Sequence, residues 1–287
     1  MHRLATPSRS TAVSRRAPAA LAVVAAALTA AFVLAPPGLA AGDSGGELGD
    51  SGHLVGALRA AFVDYWRSGD RAFPPNLQRV VDYWFRYHLV KAMIAAALLV
   101  VLVTLGVLVW KAFLRAGDRP MRARAALASA GVLVTVFATT ATAAVMANVQ
   151  GALAPFASLL PMLTDGPADG ELADTLAQVR RQLADPSSSE VRNRPAVEAM
   201  ISHFAHYHSV MAVVAATVAV VLAGVGVVLW SRRAAVDPSA RRTRRVLGSY
   251  GVASGLLCLA VIAVVVANAT TAADPVPALR AFFAGGW

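Results

Sequence analysis

Two histidines stand 120 residues apart in the same local setting, Tyr87-His88 and Tyr207-His208. Imidazoles at the mouths of apolar helices can ligate a haem or a metal ion, and an approximate twofold axis would turn these two toward each other. His203 and His206, three residues apart and so on one helical face, would add ligating nitrogens beside His208. The same residues also fit a structural role, because Tyr and His have an apolar body and a polar tip that suit a membrane boundary. Trp84 and Phe204, again 120 apart, extend such an aromatic belt. The sequence favours the interfacial role, with no catalytic, cofactor-binding or metal residue assigned. A b-type haem or metal centre on His88 and His208, with His203 and His206 as further candidates, is the rival reading.

Asn148 and Asn268 form the second polar pair at equivalent positions, where an asparagine ends a helix or bonds to a neighbouring one. Threonines 104, 135, 139, 140, 142 and 217 lie deep in apolar sequence, and their hydroxyls can return to a carbonyl one turn back. Ion-coupled transport and proton relays need ionisable groups at depth, and the four longest apolar runs contain no Asp, Glu, Lys or Arg. The remaining chain shows no phosphate-cradling Gly loop, no His-Glu-x-x-His and no Gly-x-Ser-x-Gly. Asp64, Asp82, Asp174 and Glu198 alternate with arginines as solvated helix faces do. The chain therefore reads as non-enzymatic.

The elements that must position these residues are membrane helices. With 57% hydrophobic residues and a mean hydropathy of +0.59 the chain exceeds what a water-exposed surface carries. Four runs, Ala92 to Trp110, Ala125 to Val149, Ser209 to Trp230 and Val246 to Ala267, are long enough to cross about 30 Å of hydrocarbon as helices. Cys258 lies inside the fourth and has no partner for an intramolecular disulfide, being the only cysteine.

The second half repeats the first at a constant offset of 120. Pro75 recurs as Pro195, Trp110 as Trp230, Arg122 and Arg124 as Arg242 and Arg244, Gly131 as Gly251, Ala147-Asn148 as Ala267-Asn268, and Pro155 as Pro275. Each unit opens with an amphipathic stretch. Leu54, Leu58, Phe62 and Trp66 recur every four residues, and Leu172, Leu176, Val179 and Leu183 every three or four. These predict outer helices of about fifteen residues that bury one face against the lipid boundary or against each other. After Pro74-Pro75 and Pro195 no breaker intervenes before the basic loop. Each first span is thus the end of a rod of about 35 residues or 52 Å that stands above the bilayer. The tails from Pro155 to Leu163 and from Pro275 to Trp287 read as headgroup-level segments, with Phe282, Phe283 and Trp287 in an aromatic belt. Gly251 with Gly255, and Ala212, Ala216 and Gly224, supply small-residue steps for packing inside the bundle.

Charge sets the orientation. Lys111, Arg115, Arg119, Arg122 and Arg124 fill one short loop, and Arg232, Arg233, Arg241, Arg242, Arg244 and Arg245 the other. The segments 42–86 and 148–205 hold more acids than arginines. Short basic loops stay cytoplasmic, so the net +10 is a topological signature that also attracts anionic lipid heads. Nucleic acid is excluded as a partner, because neither loop interleaves aromatics for base stacking. The stretch Leu21 to Ala35 follows Arg3, Arg9, Arg15 and Arg16 and ends at Pro36-Pro37-Gly38, the plan of a signal peptide cleaved near Ala40 or Ala41, or else of a fifth, retained span.

The expected protein is an all-α integral membrane protein: a four-helix transmembrane bundle from two tandem α-hairpin repeats with amphipathic outer helices. Residues 1–41 are the signal peptide or N-terminal membrane anchor, 42–163 the first repeat unit and 164–287 the second. It lies multi-pass in the cell membrane, with a cytoplasmic N-terminus before any processing and an extracytoplasmic C-terminus. Its partners are the lipid bilayer and a membrane or extracytoplasmic protein or further copies of itself, bound by the outer helical collar. A small haem or metal redox protein, and an oligomeric channel or passive transporter, are the alternatives.

Overall fold

The computed structural model describes residues 16–42, 46–117, 119–167, 170–184 and 195–286. Arg3, Arg9, Arg15 and Trp287, which the sequence reading used, lie outside them. The described secondary structure is helical throughout, in the order α1 (Arg16–Leu34), α2 (Pro36–Ala41), a 3₁₀ turn (Gly46–Gly49), α3 (Ser51–Ser68), α4 (Pro75–Leu114), α5 (Met121–Leu153), α6 (Pro155–Leu159), α7 (Pro161–Thr164), α8 (Gly170–Ala184), α9 (Pro195–Ala235), α10 (Arg241–Ala273) and α11 (Pro275–Phe283). Helices α1, α4, α5, α9 and α10 are long and apolar enough to cross a membrane. The protein is an all-helical membrane protein.

The main hydrophobic core lies at one end of the long helices, in a collar. Asp50 starts α3 by accepting the backbone N–H groups of Gly52 and His53, and these bonds, that of His53 foremost, hold its carboxyl below the usual range. Gly69 ends α3 at φ +69°, in the left-handed region where a side chain would be strained. The predicted stripes on α3 and α8 are both buried. They meet α6, α7, α11 and the protruding ends of α4 and α9 in one cluster, centred on Phe62, Tyr65, Leu77, Leu159 and Leu176. Polar ties seal the joint: Tyr65 donates to the carbonyl of Ala196 at 3.2 Å, Ala196 N–H donates to Gly69 O at 3.2 Å, and Trp66 Nε1 donates to Gln178 Oε1 at 3.1 Å. Burial pushes the Tyr65 phenol up to about 12, so it remains a neutral donor at physiological pH. Arg67–Glu171 and Arg71–Glu198 bridge the surface and, being exposed, contribute little.

Below the collar the helices pair in antiparallel fashion. Trp110 of α4 fills the notch left by Gly131 of α5, and Trp230 of α9 the notch left by Gly251 of α10; a Cβ on either glycine would come within 2.6 or 2.8 Å of the indole. The two pairs meet at the basic end, where Thr135 Oγ1 and Tyr250 OH are 2.6 Å apart and Arg242 lies 5.7 Å from the Phe113 ring. Both basic loops therefore sit opposite the collar. Core contact along the spans is sparse, a small cluster of Ala25, Leu102 and Ala141. Val100, Val220 and Leu259 stand exposed, as a lipid-facing surface requires. All six deep threonines bond to the carbonyl four residues back.

Three expectations need revision. The rods run longer than 35 residues, to 40 in α4 and 41 in α9, because neither Trp110 nor Trp230 breaks the helix. The proline-led tails turn their apolar residues into protein rather than away from it: Phe156, Leu159, Leu163, Leu279 and Phe283 are buried in the collar core. Of the small residues, Gly251 meets Trp230, but a Cβ on Gly224 or Gly255 would point into open space. The buried stripe on α9 is Ala215 and Ala219, since the tryptophan notch fixes the rotation of α9 against α10.

Helix α1 packs along α4. Ala40 is fully buried, Arg86 Nε donates to its carbonyl at 3.0 Å, and the Lys91 ammonium lies 4.5 Å from the Phe32 ring and 5.2 Å from that of Tyr87.

Candidate functional site

His88 and His208 each meet an asparagine of their own helix pair. His88 Nδ1 is 3.0 Å from Asn148 Oδ1, and His208 Nδ1 is 2.8 Å from Asn268 Oδ1. The register of the antiparallel pair creates both contacts, each joining residues 60 apart in sequence. Both asparagines spend their Nδ2 donors on a carbonyl four residues back, that of Ala144 or Val264. Each Oδ1 therefore accepts, which makes Nδ1 of each histidine the donor. In the neutral ring this leaves Nε2 as a bare lone pair, and in both residues Nε2 is buried without a hydrogen-bond partner among the described residues.

The surroundings differ. Around His88, Trp84 stacks on Tyr87 at 5.0 Å and places its ring edge-on to the imidazole at 4.7 Å, while its indole N–H donates to Ser158. On the other side Gly151 lets α5 close against the imidazole; a Cβ there would lie 2.7 Å from the ring. His208 is flanked by Phe204 at 4.7 Å and Tyr207 at 5.4 Å, but it borders a cavity of about 980 Å³ between α9, α10 and the collar.

His203 and His206 do not converge with His208. His203 stacks on Phe73 at 5.1 Å and meets Phe156 edge-on at 5.3 Å. His206 Nε2 faces the carbonyl of Leu153 at 3.2 Å on the surface. Among the described residues no three His, Cys, Asp or Glu side chains gather closely enough to hold a metal ion. The four histidines make separate hydrogen-bonding and stacking contacts, two with a preset ring tautomer.

Sequence reasoning missed three polar residues. Gln150 carries α5 across to α9 by donating to the carbonyl of Tyr207 at 3.0 Å. Lys91 sits one residue before the first apolar run and is covered by aromatic rings. Arg180 of α8 donates through Nε to the carbonyl of Phe283 at 2.6 Å and borders the cavity. For Gln150 and Lys91 the offset of 120 held the only signal, since it sets them against Thr270 and Met211, and for Arg180 it held none.

Comparison of the chain with protein-family models, curated proteins and solved structures finds no match.

Proposed function

We propose that the protein is a non-enzymatic multi-pass membrane scaffold: two tandem α-hairpin repeats anchor a folded outer collar that binds another protein or a second copy of the chain. The observation that carries this reading is the collar core. Helices from both halves bury one continuous apolar cluster there, whereas the spans share little core. Cohesion is thereby concentrated in the part outside the bilayer, where a partner is met. The basic loops at the far end orient the collar outward from the cell membrane. In this reading α1 is retained as a fifth span, supported by the buried Ala40, its bond from Arg86 and the cover that Phe32 gives Lys91.

Single cysteines in a Cys258→Ala background test orientation and interaction together. Asp165→Cys is expected to react with an impermeant maleimide on intact cells and, with an impermeant bifunctional reagent, to give one discrete adduct. Arg119→Cys and Asp237→Cys should react only after permeabilisation. The reverse pattern rejects the orientation, and a collar cysteine that labels but never forms an adduct rejects the docking role.

One observation favours the redox alternative as a second reading. A ligating histidine commonly donates its other ring N–H to a fixed acceptor, as His88 and His208 do toward Asn148 and Asn268. If the pairs are structural, His88→Gln and His208→Gln, singly or together, retain a donor toward the asparagine and shift stability by about 1 kcal/mol or less per site. The purified protein then shows no Soret band. A Soret band lost in either single variant would replace the structural reading by the haem reading.

A further inference from the structure

We propose that the cavity beside His208 binds an anionic amphiphile: an apolar chain carrying a phosphate or carboxylate head. Its volume of about 980 Å³ stands at the top of the range of about 300–1,000 Å³ found for small-ligand sites, which suits one chain with its head. The cavity lies where α9 and α10 leave the collar, which walls it with Leu160, Phe282 and Phe283. Met211 and Val264, one turn from His208 and Asn268 on the side away from the collar, make the deep wall apolar. Polar groups, Gln150, His208, Asn268 and Thr271, ring the middle. Arg180 stands on the collar side, against Phe283.

The charge identifies the head. Among the described residues Arg180 is the only charged one on the cavity wall, and neither Asp nor Glu lines it. Its Nε is fixed by the carbonyl of Phe283, so the guanidinium is held in place with further N–H donors in the planar fork that fits phosphate and carboxylate oxygens. The inward order of cation, polar belt and apolar wall is the order of a lipid's own head, linkage and chain.

The first helix pair shows how the same framework is closed when no ligand is accommodated. Thr271 is matched there by Gly151, which brings α5 directly onto the His88 ring. Phe204 is matched by Trp84, whose indole reaches Ser158. Met211 is matched by Lys91, beneath Phe32 of α1. Every one of these replacements fills or covers the place that the second pair leaves empty. The His–Asn contact is common to both, so what distinguishes the second pair is the cavity itself.

The test is a titration of the purified full-length protein, read by native mass spectrometry, with palmitoyl-lysophosphatidylglycerol, with the zwitterionic lysophosphatidylcholine of the same chain, and with glycerol 3-phosphate. One lysophosphatidylglycerol is expected to bind, with the zwitterionic lipid weaker by about tenfold, because its phosphate carries a choline cation that cancels the net charge and repels the Arg180 guanidinium. Glycerol 3-phosphate alone should not bind at the same concentrations. Arg180→Gln should remove that preference and Arg180→Lys largely restore it. Thr271→Phe from the middle and Met211→Trp from the deep end should each abolish binding, so one variant that fails to fold leaves the other to decide. Equal affinity for both lipids, or binding unaffected by Arg180→Gln, overturns the anionic head. Tight binding of glycerol 3-phosphate reassigns the site to free phosphate esters, and lysophosphatidylglycerol bound undiminished by a folded cavity-filling variant places it elsewhere on the surface.

Discussion

Replacing Phe62 by Ala is expected to cost about 3–5 kcal/mol, the usual loss for deleting a fully buried aromatic ring, and to unfold the collar while the spans stay helical. Phe62 is wholly buried and its ring lies 6.3 Å from Tyr65 and 6.4 Å from Trp66, so its removal opens a void at the junction of α3 with the rest of the cluster. The long helices have a separate source of persistence, because their backbone groups are satisfied within each helix and the hydrocarbon offers none. Limited proteolysis should then cut α3 and α8 while far-UV circular dichroism falls only modestly. Val220→Ala, on the exposed side of α9, should stay within about 0.5 kcal/mol of the parent, as surface changes generally do. A Phe62→Ala protein as protease-resistant as the parent would refute the shared collar core, and with it the basis for the docking role.

How far the sequence anticipates this architecture depends on whether a signal is local. The stripes of Leu54, Leu58, Phe62 and Trp66 and of Leu172, Leu176, Val179 and Leu183 repeat at helical spacing, and all of those residues are buried. The threonines are equally legible, because a hydroxyl in a helix reaches its own backbone before it reaches anything else. The proline-led tails are not. Phe156, Leu159 and Phe283 have the composition of a headgroup-level belt, and only the arrival of α3 and α8 from distant sequence gives them a protein interior to enter. The glycines fail similarly: Gly251 and Gly255 look alike in sequence, yet one receives an indole and the other open space, because helix rotation is set by the partner. His88, Asn148, His208 and Asn268 are visible as repeated residues, but their pairing requires the register of two antiparallel helices, which periodicity within one helix does not contain.

Gly151→Thr should strongly destabilise the first helix pair, although it installs the residue that the second pair carries at Thr271. A Cβ at position 151 would lie 2.7 Å from Cγ and Nδ1 of His88 and 2.8 Å from Cδ2, so it meets the face of a flat ring rather than the end of a flexible chain. The ring has nowhere to go: Trp84 stands edge-on to it and is itself bonded to Ser158, and Nδ1 is tied to Asn148. Relief comes by moving α5 away from α4, which costs about 1–3 kcal/mol for overpacking and about 0.5–1.5 kcal/mol more if the His–Asn hydrogen bond is lost. Thr271→Gly at the matching place removes a side chain that borders a cavity, and its expected cost is only the helix penalty of glycine over threonine, about 0.5 kcal/mol. Reversible unfolding in mixed micelles should therefore rank the two variants clearly apart, with Gly151→Thr the less stable. Equal losses would mean that the two imidazoles stand in equivalent surroundings, against the closed first pair and the open second pair that the glycine and the threonine set up.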